Sequence, residues 1–142
     1  VRAALEGLIG KLAARRIDAE ETEQLRAVIK KMTAQDKARK AETYFALNVE
    51  FHDILARAAR NGALLTHYRR VVNELDLYRR ETISRSTENI PISTREHETI
   101  VTAVSRRDEK LAERLLTEHV LQSRERLHGA LAKPPARSSR GE

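Results

Sequence analysis

Apolar residues recur along this chain at three- and four-residue spacing with no sustained alternation, a periodicity that commits it to helices rather than strands. Breakers are sparse, with five Gly and three Pro in 142 residues. A first helix is expected over about residues 1–15, with Val1, Leu5, Leu8, Ile9 and Leu12 on one stripe. Asp18 and Glu21 form a capping box that opens a second helix to about Thr33. A polar stretch, 34–40, leads into a third helix ending near Asn61-Gly62, which reads as a C-cap pair. A fourth helix spans about 63–85, and 87–92 reads as a loop holding Pro91. Ser93-Thr94-Arg95-Glu96 has the form of a capping box for a fifth helix ending near Arg106; Asp108 caps a sixth that runs to about Leu131. No repeat and no strand pattern emerges. The expected fold is all-α, a bundle of about six helices over residues 1–132. Residues 133–142, rich in Pro, Ser and Arg, read as a disordered or cloning-derived tail.

A chain of this length suits one domain with one core. The absence of Cys removes disulfides and thiolate metal sites and fits a reducing cytoplasm, the expected location. No segment approaches the roughly 20 apolar residues that span a bilayer. Val1 is not a natural start, so a piece of a longer protein is expected. A net charge of +6 invites comparison with nucleic-acid binders. The charges alternate in sign along helix faces, however, and aromatic residues for base stacking make up only 4% of the chain, so direct DNA contact by these residues is not expected.

The more informative residues are polar ones on apolar faces. On the third helix Asn48 and His52 lie inside the arc defined by Tyr44, Leu47, Phe51 and Leu55, one turn apart, the spacing by which a helix offers two ligands to one ion. His97 is flanked by Ile100, Val101 and Val104, and His119 by Ala112, Leu115 and Leu116. Any one inward histidine is ordinarily a satisfied core residue. Three from three helices admit a second reading, because one divalent cation satisfies all of them, and zinc and nickel favour imidazole nitrogen. His128 falls opposite His119 and His67 lies at the edge of its stripe. Arg79 projects from the apolar face of the fourth helix among Val72, Leu75 and Ile83. It reads either as an arginine snorkelling from a helix edge or as a guanidinium awaiting a carboxylate. Arg126, inward on the sixth helix, and Arg2, beside the first stripe, are weaker candidates of the same kind.

Together, Asn48-Val-Glu-Phe-His52, Arg95-Glu-His97 and Glu118-His119-Val-Leu resemble the ligand-binding domain of GntR-family regulators of the FadR type, the FCD domain. Arg2-Ala-Ala-Leu5-Glu6, Ala13-Ala14, Ala58-Ala-Arg-Asn61 and the stretch 108–112 extend the likeness to about Leu127. The resemblance implies an antiparallel bundle around a central cavity. It implies a divalent metal held by Asn48, His52, His97 and His119, with open positions that take a small carboxylate effector; from its inward position, Arg79 is expected to bind the same carboxylate, with Arg2 or Arg126 closing the cavity. It also implies a homodimer that reaches DNA through an N-terminal winged helix-turn-helix domain not included in this chain. Many metal-binding members carry Asp where this chain has the neutral Asn48.

Two other functions compete. Three histidines with an open position are also the layout of a catalytic zinc, the site of a metal-dependent hydrolase. Against it, Glu50 and Asp53 fall on the polar side of their helix, and Glu96 and Glu118 are displaced by about 100° from the neighbouring histidines, so the inward set offers no general base. A helical interaction module with structural histidines is the other alternative. An effector-binding domain, not an enzyme, is the expected function. Homodimerisation has modest support in the outward apolar residues Leu77, Leu121 and Leu131. Light scattering at micromolar concentration is expected to return twice the chain mass; a monomer would count against the dimer.

Overall fold

The computed structural model describes residues 1–132, leaving aside the side chains of Thr82, Leu127, Ala130 and Leu131; the expected tail lies outside the described residues. Seven α-helices follow one another: α1 (Arg2–Arg16), α2 (Ala19–Ala38), α3 (Ala41–Ala58), α4 (Gly62–Glu74), α5 (Asp76–Arg85), α6 (Ile90–Ser105) and α7 (Glu109–Ala132), with a short 3-10 turn at Thr87–Asn89. No strand occurs among the described residues. None of their helices is long and apolar enough to cross a membrane.

Two expected caps are in place. Asp18 and Glu21 bond each other's backbone N–H groups, and Asp108 Oδ1 accepts from the Leu111 amide at 3.1 Å. Other boundaries move, each for a local reason. The polar stretch 34–38 is helical, because Ala, Gln and Lys are good helix formers whatever their polarity. Arg39, left-handed at φ 47°, makes the turn into α3. Asn61 does not end α3. It caps the start of α4 by accepting from the Leu64 amide at 3.1 Å, and the left-handed residue of that turn is Arg60. Ser93–Glu96 is not a cap either: α6 has already begun at Ile90, with Pro91 in its first turn, where a missing N–H costs nothing.

The expected fourth helix divides at Leu75, giving seven helices instead of six. Leu75 adopts φ −94° and ψ 0°, and its N–H is shared between the carbonyls of Val71 and Val72 at 3.3 and 3.2 Å. No Gly or Pro marks the break, and the apolar spacing continues through it. Beyond it, Leu77 and Tyr78 are exposed.

The first helix buries Ile9 and Leu12 of the expected stripe, with Leu5 packed against the core, but the buried arc is wider and shifted. Val1 and Leu8 are exposed, whereas Glu6, Gly7, Ile9, Gly10, Leu12, Ala13 and Ala14 are buried. The reason is that α1 packs along α7 and also touches α3, α4 and α6, so its small residues are covered as well as its large ones. At the crossing with α7, a Cβ on Gly7 would run into Thr117 Oγ1, and one on Gly10 would lie 2.7 Å from the Ala112 carbonyl oxygen. Two arginines secure the C-terminal end of α1. Arg107 donates to the carbonyls of Arg15 and Ile17 at 3.1 and 2.8 Å, and Arg60 donates to that of Arg16, placing cations where the helix dipole favours them.

Gly10→Ala is expected to destabilise the fold by about 1–3 kcal/mol, because neither a backbone carbonyl nor the packed Leu116 has room to retreat. Gly62→Ala, with open space around the added methyl group, is expected to be neutral or to stabilise by roughly 0.4–1 kcal/mol. Urea denaturation distinguishes the two signs.

Candidate metal centre and adjoining cavity

Three helices each deliver one buried imidazole to the same place: His52 from α3, His97 from α6 and His119 from α7, none more than 3% exposed. One ring nitrogen from each lies within 4.8 Å of those of the other two. His52 Nε2 and His97 Nε2 are 3.2 Å apart, and the rings of His52 and His119 stack with centroids 5.4 Å apart. Phe51 packs edge-on against both His52 and His97, closing one side of the cluster with hydrocarbon.

Each imidazole is also held from behind. Glu6 Oε1 contacts His52 Nδ1, Glu96 Oε1 lies 2.9 Å from His119 Nδ1, and the Tyr44 hydroxyl faces His97 Nδ1 at 3.5 Å. The Nε2 atoms of His52 and His97 face each other across the centre of the cluster. Burial depresses His52 to about 4, with Glu6 opposing the shift and His119 and Arg2 adding to it. His97 is held well below the ordinary imidazole range by burial and then by the two neighbouring histidines. Neutral, inward-facing imidazoles of this kind are the donor set that zinc and other borderline divalent ions require. The residues present therefore fit a metal.

Glu6 was not among the residues singled out by periodicity. Burial disfavours its charge, but contact with His52 and Arg2 outweighs burial and keeps the carboxyl below its usual range. Its sequence signal is modest: Ile9, Gly10 and Ala13, all buried, stand three, four and seven residues on, and Arg2 stands four before. Glu96, expected to lie about 100° off the inward face, does reach a histidine of the cluster. Its displacement from His97 aims it at the adjacent α7, where His119 sits. Both carboxylates are occupied, however, since Arg2 Nε binds Glu6 at 2.7 Å and Arg126 Nη2 binds Glu96 at 2.6 Å. Glu50 is exposed, and Asp53 pairs with Arg57 and Arg69, as their polar-side positions led one to expect.

Beside the cluster is a cavity of about 370 Å³ whose wall includes Arg2, Tyr44, Asn48, Arg79, His119 and Arg126. All three arginines singled out in the sequence thus meet one space, but in different states. Arg2 and Arg126 are neutralised by Glu6 and Glu96. Arg79 Nη2 is buried with no hydrogen-bond partner among the described residues, and its guanidinium sits 5.7 Å from the Phe45 ring centre. Asn48 is buried one turn before His52 and lines the same cavity. His67 and His128 are exposed, although His128 also borders the cavity.

The FCD domain model matches residues 1–122. This chain belongs to the FCD domain family. A probable D-xylose utilization operon transcriptional repressor from Paenarthrobacter nicotinovorans is 31% identical over 122 residues, covering 84% of this chain and 52% of that protein. This FCD domain therefore spans about half the length of that relative. The structure of Streptococcus agalactiae GntR superposes with a TM-score of 0.67 at 23% identity, over 87% of this chain and 54% of that one, a likeness of fold.

The buried imidazoles make this FCD domain acid-sensitive in its metal-free form. His52 takes up a proton near pH 6.5 when unfolded but only near 4 when folded, so between those values the unfolded state binds more protons. His97 acts in the same direction, and Glu6 extends the loss below the ordinary carboxylate range. Stability is therefore complete above about pH 6.5 and falls as pH drops toward 4. Calorimetric melting is expected to show a drop of several degrees over this interval, with the exposed-site variant His67→Ala following the same curve. A flat melting temperature would contradict burial of neutral imidazoles.

Proposed function

We propose that this FCD domain senses a small organic or sugar acid at a divalent-metal site and thereby regulates DNA binding by a GntR-family transcription regulator. In this reading His52, His97 and His119 hold the ion, zinc or nickel by the nature of the donors, and the Asn48 amide oxygen is a weaker fourth ligand. The bound ion supplies a Lewis-acidic position for one carboxylate oxygen of the effector. The observation that carries the reading is Arg79: a buried guanidinium nitrogen with no hydrogen-bond partner among the described residues, on the wall of the cavity that His119 also lines. An unpaired buried charge is costly, and a carboxylate is its natural complement. Arg2 and Arg126, already ion-paired, would shape the cavity and offer it their remaining N–H groups.

The matched relative is named as a transcriptional repressor, which supports a regulator over an enzyme. So does the engagement of both nearby carboxylates in ion pairs, which leaves neither poised as a base. Arg79 belongs to α5, which packs against α3 and α7, so a ligand joining it to the histidines would draw α5, α6 and α7 together. Tighter binding to that closed arrangement is what would shift a homodimeric regulator between DNA-binding states, with DNA engaged by a portion outside this chain.

Calorimetry of the zinc-loaded domain against a panel of organic and sugar acids tests this. For an acid that binds, Arg79→Ala is expected to weaken affinity by about 30-fold or more while metal content is unchanged, and His97→Ala to lose both metal and acid. Full affinity in Arg79→Ala would remove Arg79 from the site. Stripping with EDTA is expected to lower the melting temperature. An unaltered melting temperature, together with no metal by elemental analysis, would overturn the metal.

A further inference from the structure

Imidazole nitrogen is an uncharged ligand and Asn48 is an amide, so no anionic group stands among the candidate ligands. Zinc held by uncharged donors alone retains its whole double charge in a buried place, which is unfavourable unless negative charge lies close behind. Two carboxylates stand there. Glu6 reaches His52 Nδ1 from α1, and Glu96 reaches His119 Nδ1 from α6 at 2.9 Å. Each is also gripped by an arginine, Arg2 on the other oxygen of Glu6, Oε2, at 2.7 Å and Arg126 on the same Glu96 Oε1 at 2.6 Å.

We infer that Glu6 and Glu96 are positioning residues for the metal, each holding one histidine in the tautomer and orientation that turns Nε2 toward the ion. A carboxylate accepting from Nδ1–H forces the lone pair onto Nε2 and makes the ring a stronger donor. The arginines keep both carboxylates from swinging round to become ligands themselves. His97 differs, since its Nδ1 meets the neutral Tyr44 hydroxyl at 3.5 Å and no carboxylate among the described residues. The same arrangement ties the metal to the cavity, because Arg2 and Arg126 border the space that an effector would occupy.

This inference rests on the metal reading above, and its test separates the two. Zinc affinity is measured by chelator competition for the wild type, Glu6→Gln, Glu96→Gln and the exposed control Glu50→Gln, with melting of each metal-free protein as a check on folding. Glu6→Gln and Glu96→Gln are each expected to bind zinc about 10–100-fold more weakly, and Glu50→Gln to match the wild type. Cobalt substitution adds a spectroscopic readout: the visible absorption of the Co²⁺ form is expected to change in both glutamine variants and not in the control. Wild-type affinity and an unchanged cobalt spectrum in both variants would overturn the positioning role while leaving the metal site standing. A wild type that binds no zinc would overturn the metal reading and this inference with it. Should Glu6→Gln fail to fold, Glu96→Gln, whose side chain is 19% exposed, decides the matter.

Discussion

The approach of α1 to α7 at Gly7 and Gly10 governs how charge is arranged inside this bundle. With no Cβ on either residue, α1 sinks against the backbone of α7, and the residue before Gly7 goes with it into the interior. That residue is Glu6, 1% exposed, and a carboxylate so placed is tolerable only with cationic or hydrogen-bonding partners on both oxygens. Arg2, one turn back on the same helix, covers one side and His52 on α3 the other. Packing of small residues thereby brings a buried charge to the back of an imidazole.

From that point the electrostatics of the cavity follow. Three arginines reach it, two of them each balanced by a glutamate that also holds a histidine. Arg79 is the exception, with burial depressing its pKa and with no carboxylate in hydrogen-bond reach of Nη2. The break at Leu75 is relevant here, because it makes α5, which carries Arg79, an element separate from α4. In the proposed reading, an anion bridging the histidines on α3, α6 and α7 and Arg79 on α5 would favour one arrangement of these helices over another.

Much of this was legible in the amino-acid sequence. The helical period identified Asn48, His52, His97 and His119 as inward-facing, because the face of a helix is a property of one helix and its spacing, and burial of 8% or less at all four agrees. The caps at Asp18 and Asp108 were readable for a similar reason, since a side chain bonding its own backbone three residues on needs no tertiary partner. Arg79 could be found the same way, as a charge among apolar neighbours.

Tertiary structure decided what depends on more than one helix. Periodicity favoured Leu8 on α1 over Glu6, whereas the bundle exposes Leu8 and buries Glu6, because neighbours on several sides of α1 choose the buried arc. Glu96 looked misaligned with His97, yet it serves His119 on the adjacent helix. Arg79 stood out among the inward arginines by position, but only the fold gave Arg2 and Arg126 glutamates and left Arg79 Nη2 with no hydrogen-bond partner among the described residues. The sequence by itself determined which residues turn inward, because local backbone geometry sets that direction. Only the packing of α1, α6 and α7 decided which of them meet, because pairing between charges depends on distances across helices that no one-dimensional spacing encodes.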